Sequence, residues 1–247
     1  MTTNYRFLEV HKAKAVCHVA FRSGPSNGIT GEFLDEMSRL LSDLDHDDES
    51  HAVVLTSSVK GVFSRGLDLP ALRSLDEVQL GELLACSRAV LERIADSPIP
   101  FICGVGGDCF GAGLELMLSC DIRIAAASAQ FGAPEVIFGL VPTAGCIRRL
   151  FAGVGTGHTA RLLLTGMKLG AAEARAIGLI EEVVSEEELS PRLTELAQRL
   201  GRIRRSGISA VKAALRTTER AIGAPPGDDN GRAAMNQATQ RGIPCSP

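Results

Sequence analysis

The segment FICGVGGDCFGAGLELMLSCD, residues 101–121, is the part of this 247-residue chain that decides its architecture. It opens with an apolar run, FICGVGG, of the kind that forms a buried strand in a parallel sheet. The glycines that follow predict a tight turn, and a helix is expected to begin near Gly111. Glu115 is the one carboxylate inside this apolar helix, where an ionised group is rarely buried without a partner. The segment therefore predicts an α/β fold. Glu115 either faces solvent at the edge of a core helix or is a catalytic acid or base.

Strand and helix signals alternate on both sides of this segment. Period-two and short apolar patterns predict strands, with a hairpin over 7–21 and further strands over 51–58 and 122–132. Apolar residues at helical spacing predict helices over 31–45, 75–95, 156–166, 191–203 and 209–222. Residues 59–69 are expected to form a glycine-rich loop, and 169–184 a helix, a glycine stop and a strand. This alternation favours a mostly parallel sheet covered by helices.

The composition, 45% hydrophobic and 22% charged residues, is typical of a soluble globular protein. A net charge of −3, one Tyr and no Trp argue against a nucleic-acid surface. No apolar run approaches the roughly 18 residues that span a bilayer, and the polar N-terminus does not resemble a signal peptide. Seven cysteines without a CxxC pair indicate a reducing compartment and no metal site. We therefore expect a soluble, cytoplasmic protein without a membrane partner.

Two glycine-containing loops are candidates for binding a developing negative charge. FSRGLDL, residues 63–69, is expected to expose the backbone amides of Gly66, Leu67 and Asp68. FGAGLE, residues 110–115, places glycines where a strand turns into a helix, whose first-turn amides have no partner inside the helix. Two such amides from separate loops can form an oxyanion hole. The alternative is that the glycines only allow close packing and that Asp68 caps a turn or a helix.

A second carboxylate, Glu135, lies 20 residues after Glu115. That distance leaves room for a helix, a strand and a turn that returns to the same cavity, and the alternative is that Glu135 is only a loop carboxylate. Asp121 is expected to pair with Arg123 or with a backbone amide. The five histidines show no nucleophile beside them in the sequence and are interpreted as structural or exposed. The residues by themselves therefore predict an α/β fold with two candidate carboxylates and two amide-rich loops.

Residues 98–150 closely resemble the signature region of the crotonase superfamily, the enoyl-CoA hydratase/isomerase family. The family pattern GGG-x-E-L, then CD, then FG-x-P-E, has its counterparts here in GAGLEL (111–116), CD (120–121) and FGAPE (131–135). The likeness covers about residues 10–222. It implies an α/β, crotonase-like spiral of ββα units with C-terminal oligomerisation helices. The core would be residues 1–190 and the C-terminal helical region residues 191–247, with a weakly structured tail after about residue 223.

The resemblance also assigns roles to the candidate residues. Glu115 would activate water for attack at C3 of an enoyl thioester, and Glu135 would deliver a proton to C2. The amides of Leu67 and Ala112 would form the oxyanion hole for the thioester oxygen. The neighbouring positions expected to bind substrate are Arg65, Gly66, Asp68, Gly111 and Gly113.

The implied substrate is an acyl-CoA thioester, so coenzyme A enters as part of the substrate and no separate cofactor or metal is expected. The implied assembly is a homotrimer or a dimer of trimers. Keeping both glutamates favours an enoyl-CoA hydratase. The alternatives are an enoyl-CoA isomerase or decarboxylase of the same family, or a catalytically weak scaffold or partner paralogue. Thr143 and Cys146 occupy positions where the family commonly has small, glycine-rich sequence, so we expect an acyl pocket of unusual shape.

Overall fold

The protein is described by a computed structural model over residues 5–72, 74–142 and 145–222. The strands are β1 Leu8–Ala13, β2 Val16–Phe21, β3 Ala52–Ser57, β4 Gly61–Ser64, β5 Phe101–Val105, β6 Gly107–Phe110, β7 Ile122–Ala126, β8 Gln130–Gly132, β9 Lys168–Gly170 and β10 Glu182–Val184. The α-helices are α1 Gly31–Asp45, α2 Leu69–Leu72, α3 Glu77–Asp96, α4 Ala112–Ser119, α5 Cys146–Thr165, α6 Ala171–Ala176, α7 Glu186–Gly201 and α8 Arg205–Ile222. A 3-10 helix covers Pro134–Phe138.

The strands form two sheets, and from β3 to β8 consecutive strands alternate between them. The six-stranded sheet has the order β1-β2-β3-β5-β7-β10, and the four-stranded sheet has the order β4-β6-β8-β9. Within them β3, β5 and β7 are parallel, as are β4, β6 and β8. The pairs β3–β4, β5–β6 and β7–β8 are followed by α3, α4 and α5, so one ββα unit is repeated three times. The predicted ββα spiral is confirmed.

The expectation of one sheet was incomplete, because the second sheet is built from strands too short to leave a pattern. The predicted loop over 59–69 contains β4, and the predicted strand over 122–132 is two strands, β7 and β8, in different sheets. The predicted helix over 156–166 is the second half of α5, which bends at Gly155 (φ +76°). Helix α7 begins five residues before the predicted 191, because Ser185 and Glu188 form a capping box there.

The main core packs the inward face of α1 against the sheets. The buried residues of this helix include the apolar set that the spacing predicted: Phe33, Leu34, Met37, Leu40, Leu41 and Leu44. Phe21 lies 5.3 Å from Phe33 and 5.2 Å from Phe63, measured between ring centroids. A smaller cluster packs Leu193 and Ala197 of α7 on the other face of the six-stranded sheet. The core thus fixes both sheets, whose strand ends carry the candidate loops.

Some expectations concern residues away from these loops. Asp121 accepts a hydrogen bond from the amide of Phe101 (2.8 Å), which is one of its two predicted partners. The other, Arg123, is paired with Glu181 instead. Within the described ranges, no helix has the length and apolar character needed to cross a membrane. The predicted weakly structured tail after residue 223 lies outside the described residues.

Candidate active site

The first candidate loop, residues 65–68, leaves β4 and is held by a short parallel bridge between Ile29 and Leu67. The amide of Ile29 donates to the carbonyl of Gly66 (2.9 Å), and the amide of Asp68 donates to the carbonyl of Ile29 (3.3 Å). Neither of these bonds uses the amide of Leu67. Gly66 has φ +100°, a conformation that side chains disfavour, so glycine allows the bend that presents the next amide.

The second candidate loop joins β6 to α4 at Gly111, which has φ +54°. The amide of Gly111 donates to the carbonyl of Gly132 (3.0 Å), and Ala112 is the first residue of the helix. Its amide is therefore among those that have no acceptor one turn earlier, at the positive end of the helix dipole. A β-carbon placed on Gly66 would lie 3.4 Å from the nitrogen of Ala112. The two loops thus lie so close together that a side chain at Gly66 would touch the second loop.

The two candidate carboxylates approach the second loop from different elements. Glu115 lies in the first turn of α4 and is only 3% exposed, and its amide donates to the carbonyl of Gly111 (3.0 Å). Glu135 is the second residue of the 3-10 helix. A β-carbon placed on Gly111 would lie 2.9 Å from Oε1 of Glu135. The segment between the two glutamates therefore does return the chain to the same place.

Burial of Glu135 favours its neutral form. Desolvation raises the pKa of Glu135 above its usual value of 4.5. Its Oε2 atom is buried and has no hydrogen-bond partner among the residues that the structure describes. Burial also raises the pKa of the Cys146 thiol, and the charges of Glu115 and Glu135 add to that effect. Cys146, the first residue of α5, is therefore a neutral thiol close to both carboxylates.

The two loops and both glutamates line one open pocket. Seven of the nine predicted site residues take part: Arg65, Gly66, Leu67, Gly111, Ala112, Glu115 and Glu135. The remaining wall is mostly apolar and comes from α2, α3, the 3-10 helix and the residues after it, including Leu72, Leu84, Phe138 and Leu140. Dipoles and carboxylates in such a wall act on one another strongly, because little water screens them.

Asp68 and Gly113, the other two predicted residues, lie outside the pocket lining and have structural contacts. Oδ1 of Asp68 accepts a hydrogen bond from the amide of Ala71 (2.9 Å), which caps α2. A β-carbon on Gly113 would lie 2.5 Å from the carbonyl oxygen of Ser64, so this glycine lets α4 pack closely on β4. The contacts of these two residues therefore match the alternatives given above, in which Asp68 caps a helix and the glycine allows close packing.

Some residues of the pocket region were not singled out from the sequence. Leu72 and Leu84 belong to no motif, and only their position one helix away from the loops brings them to the pocket. Asp108 of β6 pairs with Arg65 at the pocket edge (2.9 Å), a contact between residues 43 positions apart. Within the described part of the chain, no group of three or more His, Cys, Asp and Glu side chains is placed to hold a metal ion.

The amino-acid sequence of the chain is similar to those of known proteins. The sequence model of the family described as "Enoyl-CoA hydratase/isomerase" matches residues 11–226. The chain is 36% identical over 167 residues to "Enoyl-CoA hydratase domain-containing protein 2, mitochondrial" of Mus musculus, covering 68% of this chain and 56% of that protein. It is 33% identical over 174 residues to "Short-chain-enoyl-CoA hydratase" of Clostridium acetobutylicum, covering 70% of this chain and 67% of that protein. The matched region thus spans little more than half of the mitochondrial relative.

Solved structures share the fold over nearly the whole chain. The structure of Pseudomonas aeruginosa DspI matches with a TM-score of 0.85 and 28% identity, covering 96% of this chain and 93% of that chain. The enoyl-CoA hydratase of Bacillus anthracis matches with a TM-score of 0.84 and 27% identity, covering 96% and 91%. The likeness therefore extends well beyond the loops and glutamates of the pocket.

Proposed function

Because the chain belongs to the enoyl-CoA hydratase/isomerase family, we propose that it adds water across the double bond of a trans-2-enoyl-CoA. The observation that carries the proposal is that Glu115 and Glu135 share one pocket with the backbone of Leu67 and Ala112. Hydration of a conjugated thioester needs a base for water, an acid for carbon and donors for the oxygen that becomes negative. The pocket holds a candidate for each of these roles. Coenzyme A enters as part of the substrate.

In the proposed reaction the amides of Leu67 and Ala112 hold the thioester oxygen. Water attacks C3, and the electrons of the double bond move through C2 onto that oxygen, which gives an enolate. Backbone amides aimed at this oxygen stabilise the enolate more than the neutral substrate, and one such donor is typically worth about 10²–10³ in rate. The closeness of the two loops supports this role, because the donors must converge on one atom.

The two glutamates would carry out the two proton transfers of the reaction. Glu115 accepts a proton from the attacking water, and Glu135 donates a proton to C2 as the enolate collapses. Water is added overall, and Glu115 then releases its proton to solvent while Glu135 takes one up, which restores the starting charges. Burial raises the pKa of Glu135, which keeps a proton on this carboxyl at a pH where an exposed one has lost it. That direction supports Glu135 as the acid.

The substrate-binding positions follow from the same pocket. We assign the acyl chain to the wall formed by Leu72, Leu84 and Phe138, because an acyl group replaces water there at a gain of roughly 25 cal/mol per Å² of buried apolar surface. Gly66 and Gly111 would allow the thioester to approach the backbone. Arg65, which is paired with Asp108 at the pocket edge, would face the coenzyme A portion.

We also propose that copies of the chain associate through α8, as a homotrimer or a dimer of trimers. The outward face of this helix carries Val211, Leu215 and Ile222, hereafter the outer stripe, at helical spacing. Val211, Leu215 and Ile222 are 61%, 63% and 58% exposed. A helix that turns its apolar face outward gains by burying it against another copy.

The test is the loss of ultraviolet absorbance of the conjugated thioester when enzyme is added to trans-2-enoyl-CoA. Hydration should occur with the wild-type protein and fall by about 10²–10⁴-fold in Glu115→Gln and in Glu135→Gln, because each removes an acid–base group. Glu182→Gln is the matched control and should keep full activity. It breaks a partly exposed ion pair between Glu182 of β10 and Arg192 of α7. Wild-type protein without hydration across short and medium chains would refute the proposal.

Two alternatives are separated by the same proteins. A 3-enoyl-CoA isomerase using Glu135 would keep its activity in Glu115→Gln, whereas a hydratase would not. A scaffold need not bind substrate at all, so calorimetry with a saturated acyl-CoA distinguishes it from an enzyme. Binding with no turnover of either enoyl isomer would exclude both enzymatic readings.

A further inference from the structure

Helix α8 turns a charged face towards the rest of the protein. Lys212 is 6% exposed and donates to Asp121 (2.6 Å) and to the carbonyl of Ile99 (3.0 Å). Arg216, one turn later, donates to Asp121 (3.3 Å) and to Glu219 (2.5 Å). Buried cations persist only when they are paired, so this face depends on its acidic partners.

Glu92 of α3 is the acidic residue that joins two other helices. Its Oε1 atom accepts hydrogen bonds from Arg148 (2.8 Å) and Arg149 (2.6 Å), and its Oε2 atom accepts one from Arg220 (3.2 Å). Arg148 also donates to Glu219 (2.6 Å), which connects α5 with α8. Charge-assisted bonds of this kind are stronger than neutral ones, and Arg149 is only 4% exposed.

The two arginines on α5 belong to its first turn, and this helix begins four residues after Pro142, which lines the pocket. Gly145 caps this helix, and a β-carbon on it would lie 3.1 Å from Oε1 of Glu92 and 3.0 Å from Nη1 of Arg149. The following residue is Cys146, the buried thiol that senses the charges of both pocket glutamates. Helix α5 also contacts α4 and the 3-10 helix, which carry those glutamates. Helix α5 therefore connects Glu92 with the elements that carry the pocket glutamates.

We propose that Glu92 is a positioning residue, which holds the first turn of α5 against the pocket by accepting hydrogen bonds from Arg148 and Arg149. It lies outside the pocket lining and acts through the helix. The catalytic consequence rests on the proposed hydratase function, whereas the held geometry can be measured without catalysis. Replacing Glu92 by an uncharged residue leaves two guanidinium groups with less compensation, so the turn is expected to loosen locally.

The first test measures the exposure of Cys146 directly. Wild-type protein and Glu92→Gln are treated with N-ethylmaleimide, and the alkylation of each cysteine is followed by peptide mass spectrometry. Cys146 should react about tenfold faster in the variant, because local opening sets its exposure, while Cys103 and Cys109 stay protected in the core. Equal acceleration at all three cysteines would mean global destabilisation and would overturn the proposal, as would no acceleration at Cys146.

The second test compares kinetic constants. Glu92→Gln should lower kcat by about tenfold with KM changed by less than about threefold, because misplaced acid–base groups act on the chemical step more than on binding. Glu92→Asp, which keeps the charge, should recover part of the loss, and Glu182→Gln should match the wild type in both tests. Unchanged kcat in Glu92→Gln would overturn the proposal. An inactive wild-type protein would refute the hydratase function alone, and the labelling result would still decide the role of Glu92.

Glu219→Gln provides a second variant if Glu92→Gln does not fold. It removes the acceptor that α8 provides for Arg148, but it leaves the bonds from Arg148 and Arg149 to Glu92 in place. The same selective labelling of Cys146 is expected, by a smaller factor. Protection of Cys146 equal to that in the wild type would count against the network.

Discussion

Oε1 of Glu135 lies 2.9 Å from the point that a β-carbon would occupy on Gly111. The backbone of the second loop therefore sets the position of this carboxylate, and Gly111→Ala would push it away. We predict a loss of hydration activity of about 100-fold, since a displacement near 1 Å is enough for that. Because φ at Gly111 is +54°, the folded state should also lose about 1–3 kcal/mol. Thioester absorbance and urea denaturation measure the two effects.

Gly24→Ala is the control for backbone strain. Gly24 has φ +73°, but a β-carbon there would meet nothing within 4 Å. The variant should be less stable and remain fully active. If Gly24→Ala and Gly111→Ala lost activity alike, the contact with Glu135 would not be the cause.

Ala112→Pro tests the second backbone donor of the proposed oxyanion hole. Ala112 is the first residue of α4, a position where proline is tolerated because its missing N–H has no partner in the helix. We predict that kcat falls by about 10²–10³-fold, the usual effect of losing one donor, with the fold retained. Ala171→Pro is a matched control, since Ala171 also follows a glycine cap and begins α6. Full activity in Ala112→Pro would exclude its amide from the reaction.

Patterns within one segment made parts of this structure predictable. The apolar spacing of α1 predicted residues 31–45, which are the bounds observed, because a helix that covers a core repeats its burial every turn. The glycines at 66 and 111 were recognised because their bends are local. Strand β9 is three residues long and is held by a partner distant in the chain, so no period could reveal it, and β8 is too short to show where it separates from β7.

Helix α8 shows a second limit of sequence reasoning. Its apolar residues lie on one face, and the ordinary rule would turn that face inward. The structure turns Lys212 inward instead, because Asp121 and the carbonyl of Ile99 satisfy its charge. The partners of Arg148 lie 56 and 71 residues away, so this pairing could not be predicted from local spacing.

The outer stripe of α8 leads to a prediction about assembly. Val211→Glu places a charge in the centre of the proposed contact, where burying it without a partner is costly. We expect the wild-type protein to sediment as a trimer or larger, and the variant to shift towards the monomer. Val78→Glu makes the same change at a valine of similar exposure on α3, 69% against 61%, and should leave the assembly unchanged. A monomeric wild-type protein would refute the assembly proposal.

The buried carboxyl of Glu135 should make stability depend on pH in a defined direction. Burial raises its folded-state pKa above 4.5, the ordinary value that applies to the unfolded chain. At a pH between 4.5 and the folded-state pKa, the folded protein keeps a proton that the unfolded chain has released. Stability is therefore lost as pH rises from about 4.5 through the folded-state pKa. Glu135→Gln cannot ionise, so its free energy of unfolding relative to the wild type should increase over that range and then level off. Glu188→Gln should behave oppositely, because the amide and hydroxyl of Ser185 lower the pKa of Glu188, and its contribution is lost as pH falls. Urea denaturation from about pH 2 to pH 8 covers both ranges, and parallel curves for Glu135→Gln and the wild type would show that Glu135 does not carry a raised pKa.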